Sequence, residues 1–269
     1  MNNISPGKQF FERDQQLADW YASLLGKMLA EQEQEELDQV LPDLFGYHLL
    51  QIGSSETSLL SASRILHKVV LDGHQKTEAF PSQINGIPEQ LPIQPDCIDA
   101  VLLHHSLDLA MDPRQVLREA ERVLVPEGHL IILGFNPRSL WGLRRALSLG
   151  QKHEAPWGHG FLSVPRVKDW LALLGLEITA IHYRFFRPPI GRKAMSDKLH
   201  FLESWGQKWW PFLGGVYLLV AKKKVSTLTP IKPRWRPRRS IVQGLTDAAS
   251  RTGTTLTKTT KANRMHDDT

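Results

Sequence analysis

The sequence predicts an α/β fold built on a doubly wound, mostly parallel sheet with helices on both faces. Three observations predict it. Apolar runs of strand length recur at 47–52, 68–71, 98–103 and 129–135. They read as nearly continuous apolar runs rather than as alternating ones, as in strands covered on both faces. Segments with the three-and-four spacing of an amphipathic helix lie between them, as expected of βαβ units.

Taken in order, residues 9–41 read as helical, because Leu17, Trp20, Tyr21, Leu24, Leu25, Met28 and Leu29 recur every three or four positions. The acidic stretch 31–38 reads as a solvated face, and Pro42 and Gly46 end the segment. Residues 1–45 are therefore expected to form a helical cap ahead of a domain spanning 46–224. The run 47–52 is a buried strand ending at Gly53, 59–66 a helix, and 68–71 a second strand ending in Asp72-Gly73. The proline-rich stretch 81–95 reads as irregular. The strand 98–103 is followed by a strong helix, 113–124: Pro113 suits a first turn, and Val116, Leu117, Ala120, Val123 and Leu124 share a face.

Pro126-Glu127-Gly128 reads as a turn into the strand 129–135. Helices are expected over 139–149 and 164–174, the second ended by Gly175, with strands over 177–186 and 215–221. A Trp-rich helical insertion is expected at about 192–212. Residues 225–269 lack any hydrophobic period and read as a basic, disordered tail.

Bulk properties exclude several classes. No apolar run approaches the roughly 18–20 residues of a membrane span. Residues 1–10 carry no signal-peptide pattern, so a cytoplasmic setting is expected. Cys97 is the single cysteine, which rules out an internal disulfide and a thiolate-based zinc cluster. The net charge of +5 is unevenly spread. From Lys222 onward twelve Lys and Arg face three Asp, about +9, leaving about −4 for the rest. Within the tail, residues 232–239 mix arginines with Trp235, a composition that grips nucleic acid or an anionic surface.

Ligands of open parallel sheets bind outside the carboxyl ends of the strands. The first strand ends in Gly53-Ser54-Ser55-Glu56-Thr57, small residues that let backbone approach a ligand. Asp72 follows Gly53 by nineteen residues, suitable for accepting hydrogen bonds from both hydroxyls of a ribose. His104 and His105 leave the next strand. Adjacent residues on a strand point to opposite sides, so no shared metal is expected there. Asn136, Arg138 and the loop around Trp157 are substrate-binding candidates at the same rim. Asn136 offers hydrogen bonds, Arg138 a charge for an anion, and Trp157 an aromatic lid.

The chain resembles the type 11 branch of the class I S-adenosylmethionine-dependent methyltransferases. The resemblance rests on Pro88-Glu89-Gln90-Leu91-Pro92-Ile93, on Ile98-Asp99-Ala100-Val101, and on the run from Asp112-Pro113 through Arg118-Glu119 and Arg122-Val123-Leu124 to Pro126-Glu127-Gly128-His129-Leu130. It implies a seven-stranded Rossmann-like sheet whose last two strands form an antiparallel hairpin. It implies S-adenosyl-L-methionine as cofactor, and methyl transfer to a small-molecule or RNA acceptor that it does not identify. By the same resemblance Gly53, Ser54 and Ser55 would pass beside the methionine part, and Asp72 with Gly73 would hold the ribose. Glu89 and Leu91 would border the adenine, and His104 and His105 would line the pocket near the methyl group, with His105 the candidate base. The chain departs from the family pattern where Ser55 and Thr57 replace glycines, Gln51 and Ile87 replace acids, and Leu109 replaces a histidine. The alternative those departures motivate is a degenerate fold kept as a non-catalytic binding or scaffold protein.

Overall fold

The computed structural model of the chain describes residues 6–53, 57–72, 82–147, 156, 160–188 and 210–224. Seven strands form one sheet: β1 (His48–Ile52), β2 (His67–Asp72), β3 (Gln83–Asn85), β4 (Ile98–His104), β5 (Leu124–Phe135), β6 (Leu176–Arg184) and β7 (Val216–Lys223). Their order is β3-β2-β1-β4-β5-β7-β6. The first five are parallel, whereas β7 runs antiparallel to both β5 and β6. The order reverses between β1 and β4, which is where a ligand crevice opens in such sheets.

Both faces are covered at the centre of the sheet, which explains the nearly continuous apolar runs of β1, β4 and β5. Leu50, Ile52, Val101, Leu103, Leu130 and Ile132 pack into one hydrophobic core. Their neighbours Leu49, Ala100, Leu102, Ile131 and Leu133 pack into the other. Burial of each such side chain contributes roughly 1.5–3 kcal/mol.

The helices are α1 (Pro6–Tyr21), α2 (Leu24–Val40), α3 (Ser106–Leu109), α4 (Pro113–Val123), α5 (Leu140–Leu147) and α6 (Val164–Leu173). Asp112 caps α4, accepting from the backbone N–H groups of Arg114 and Gln115, and Pro113 fills the first turn. The helix expected over 9–41 is two helices. The chain breaks at Ala22-Ser23, where the Ser23 hydroxyl caps α2 by accepting from Gly26 N–H. α2 then spans both cores: Leu29 lies in the first and Leu37 in the second, joined there by Leu41 just past the helix end.

Other expectations shift as well. No α-helix forms over 59–66; the chain makes a 3₁₀ turn at Thr57–Leu60 instead. The Ser63 hydroxyl accepts from Ile65 N–H, a local bond that competes with helix continuation. The irregular stretch 81–95 contains the short edge strand β3, and β5 starts five residues early, at Leu124. Within it Glu127 adopts φ 66° and the register against β4 shifts between Ile98 and Ala100, so the expected turn is a bulge. The insertion at 192–212 falls largely outside the described residues, as does the tail.

Candidate functional site

The crevice edge is set by β1 and β4. Gly53 follows β1 with φ 83°, a left-handed conformation that glycine adopts freely. A Cβ there would lie 2.3 Å from His104 O. The Ser106 hydroxyl donates to Ile52 O at 2.5 Å, tying the two strand ends together. Gln51 lies buried one step earlier, and its Nε2 donates to Gly53 O.

Beyond β4 the chain turns sharply. His105 has φ 51°, which costs a residue with a Cβ about 1–2 kcal/mol. This kink overrides the strand rule. Instead of diverging, both imidazoles reach one carboxylate, that of Glu33 on α2. His104 Nε2 lies 3.1 Å from Glu33 Oε2, and His105 Nε2 lies 2.9 Å from Oε1. The Tyr21 hydroxyl donates to Glu33 Oε2 at 2.8 Å. His105 Nδ1 faces Asp108 Oδ2 at 3.3 Å. Asp108 in turn accepts from the N–H groups of Phe135 and Leu162. Phe135 stacks on His105 with centroids 4.1 Å apart.

All of these polar groups are buried, and their charges sustain one another. Burial alone would raise the Glu33 pKa, but the charge of His105 and the hydrogen bonds from both imidazoles bring it down to about 2. Burial works against charge on His105 too, yet Glu33 beside it and the bond to Asp108 lift its pKa to about 9. Burial pushes the Asp108 carboxyl up. The shifts favour a carboxylate on Glu33 and a proton on His105, both of whose ring nitrogens face carboxylates. Glu33, His104 and His105 are the group with metal-ligand spacing among the described residues.

Two of the candidate residues carry buried acceptors without a hydrogen-bond partner. One is His104 Nδ1, left bare when Nε2–H donates to Glu33. The other is the carboxylate of Glu89, both of whose oxygens are buried without a hydrogen bond. The segment carrying Glu89 is held rigidly from α4. Glu119 Oε2 accepts from Leu91 N–H, and Arg122 donates to the carbonyls of Leu91 and Ile93. Leu91 itself is buried. An unpartnered buried acceptor is costly, and an adenine amino group is a donor of the kind Glu89 lacks.

The structure thus brings Gly53, His104 and His105 together, while Leu91, two residues after Glu89, is held by Glu119 and Arg122 of α4. Asp72 ends β2, with its backbone alone described. Ser54, Ser55, Gly73 and Trp157 lie outside the described residues. Asn136 is spent internally: its Nδ2 donates to Phe212 O and Gly214 O, and its Oδ1 accepts from Arg138 N–H. Arg138 is exposed at the rim. The sequence reading missed Glu33, Tyr21 and Asp108. A signal existed for Glu33 and for Glu36, which bonds His182 and Arg184: both fall on the helical stripe of Leu29 and Leu37.

Comparison with known proteins agrees with this architecture. The family model described as methyltransferase domain matches residues 46–132. An uncharacterized protein of Escherichia coli (strain K12), YafS, is 32% identical over 213 residues, 77% of this chain and 82% of that one. A SAM-dependent methyltransferase of Thermotoga maritima superposes with a TM-score of 0.61 at 16% identity, over 82% of this chain and all of the other. The [4+2]-cyclase SpnF superposes with a TM-score of 0.52 at 18% identity, over 73% of this chain and 81% of the other.

Proposed function

The chain belongs to the class I S-adenosylmethionine-dependent methyltransferases, in the methyltransferase domain family, and we propose that it transfers a methyl group from S-adenosylmethionine to a small-molecule or RNA acceptor. The observation that carries this reading is the pair of unpartnered buried acceptors, Glu89 on the segment between β3 and β4 and His104 Nδ1 at the carboxyl end of β4. In this reading Glu89 and Leu91 hold the adenine, with Glu89 taking the role of the acid that Ile87 replaces. Asp72 and Gly73 meet the ribose, and Gly53, Ser54 and Ser55 border the methionine part. His104 and His105 form the wall nearest the methyl group. Arg138, and Trp157 by its place in the chain, serve the acceptor.

The cofactor supplies an already electrophilic methyl when bound, so the protein's part is alignment and exclusion of water. His105 contributes as a fixed wall. Its ring is clamped by Glu33, Asp108 and Phe135, and with both nitrogens engaged it positions rather than accepts a proton. Isothermal titration with S-adenosylhomocysteine tests the cofactor site. One-to-one heat that Asp72→Ala and Glu89→Gln each reduce supports it; no heat from folded protein sinks it.

A second reading, a non-catalytic binding protein on the same fold, is favoured by Ser55 and Thr57 in place of glycines. The likeness to a protein named as a cyclase underlines that this fold does not by itself dictate methyl transfer. Methyl-labelled cofactor incubated with cell extract separates the two, since a labelled product excludes the binding-only reading.

A further inference from the structure

Two histidines meet at the end of the sheet remote from the crevice. His48 opens β1, His67 opens β2, and the two are register partners in the parallel ladder. Neighbouring strands lie about 4.8 Å apart, so side chains at paired positions stand side by side. Here the two imidazoles meet edge to face with centroids 4.9 Å apart, and His48 Nδ1 lies 2.7 Å from His67 Nδ1. Both residues are exposed. Neither belongs to the buried cluster on Glu33 or to the crevice, which opens at the carboxyl ends of the strands.

The backbone beneath the pair is fixed. Asp99 Oδ2 accepts from Tyr47 N–H and His48 N–H at 2.8 and 2.9 Å, and His67 N–H donates to Tyr47 O. Each ring nitrogen carries either a proton or a lone pair. Two lone pairs at this separation repel, so the contact requires a shared proton or a cation. Ser82 Oγ lies 3.4 Å from His67 Nε2. Accepting there, it holds the ring proton on Nε2 and leaves Nδ1 with its lone pair, as an outer partner of a metal-binding imidazole does.

The spacing selects among ions. Imidazole nitrogen binds first-row divalent ions at about 2.0 Å. Two such bonds to nitrogens 2.7 Å apart enclose an angle of about 85°. Tetrahedral zinc needs its ligands about 3.3 Å apart. A near-right angle is the geometry of tetragonal copper(II) and nickel(II), for which imidazole is a suitable ligand. Among the described residues no third His, Cys, Asp or Glu joins the pair, so water fills the remaining positions.

We propose that His48 and His67, each through Nδ1, chelate a divalent ion of the copper or nickel class. On binding, the proton shared between the rings moves to Nε2 of the ring that carried it, and the neutral pair releases none. The ion ties together the amino ends of β1 and β2, the strands that lead to Gly53 and Asp72. The site is independent of the methyl-transfer reading and stands or falls separately.

The test is titration of the full chain, carrying no histidine tag, with Cu²⁺, read by calorimetry and electron paramagnetic resonance. The wild type binds an ion with a tetragonal spectrum split by two nitrogens. His48→Gln and His67→Gln each weaken that binding tenfold or more and abolish the two-nitrogen spectrum. Without metal both variants melt at the wild-type temperature, because both side chains are exposed. One equivalent of Cu²⁺ raises the melting temperature of the wild type, as any ligand of the folded state does, and leaves those of the variants unchanged. Absence of saturable binding to folded wild type overturns the proposal. So do variants that bind like wild type, which assigns the ion to other histidines. A wild-type spectrum split by a single nitrogen overturns the chelate equally.

Discussion

At the scale of single residues, the buried cluster on Glu33 determines how the fold responds to pH. A group whose pKa is raised on folding stabilises the fold fully below its unfolded value and loses that contribution as pH climbs through the folded value. For His105 the window runs from 6.5 to about 9. Glu33 behaves in the opposite sense, and its contribution is lost as pH falls from 4.5 towards about 2. The melting temperature should therefore decline between pH 6.5 and 9, by a loss on the order of a few kcal/mol. Glu33→Gln should be less stable at pH 6 and show a flatter alkaline slope; parallel wild-type and variant curves would show that the pair contributes nothing. Gly53 has a steric rather than an electrostatic role. Alanine there meets both an unfavourable φ and His104 O at 2.3 Å. Gly53→Ala should cost about 2 kcal/mol or more in chemical denaturation.

At the scale of elements, what could be read from the sequence depended on how local the cause was. The strands β1, β4 and β5 and the helix α4 were legible, because their apolar runs, cap and proline all act within a few residues. The junction at Ala22-Ser23 was not, since apolar spacing continues through it and the break depends on one hydroxyl accepting from Gly26 N–H. The convergence of His104 and His105 was hidden for a similar reason. It follows from a left-handed φ at His105 that nothing in its residue type announces. Glu33 looked like part of a solvated acidic face, and only the tertiary approach of α2 to the end of β4 gives its charge a buried partner. Gly53 and Glu89 were placed by motif, and the structure adds that both carboxylate oxygens of the half-buried Glu89 are buried without a hydrogen bond. The caps give a check on local causes. Asp112→Ala removes the acceptor for Arg114 and Gln115 N–H and should cost about 1 kcal/mol, read as a lowered denaturation midpoint.

At the scale of the whole molecule, the decisive relation is between the N-terminal helices and the sheet. The helical pattern of residues 1–45 precedes the first strand and is expected to cap the domain spanning 46–224. Phe10, Phe11, Leu17, Tyr21 and Leu29 belong to the same buried cluster as Leu50, Val101 and Ile132 of the sheet. Polar contacts bind the same pair of surfaces. Arg13 donates to Leu109 O, Glu33 holds both histidines, and Glu36 pairs with Arg184 of β6. Five large side chains at roughly 2 kcal/mol each amount to about 10 kcal/mol of burial, comparable to the 5–15 kcal/mol that a whole domain retains. Removal of residues 1–45 should therefore leave no cooperatively folded remainder. It would strip apolar cover from one face of the sheet, and leave His105 and Asp108 buried without the carboxylate that balances them. The expected result is a protein that binds a hydrophobic dye and shows no sharp thermal transition by circular dichroism. A truncated chain that melts cooperatively near the wild-type temperature would establish instead that the helices are an accessory cap.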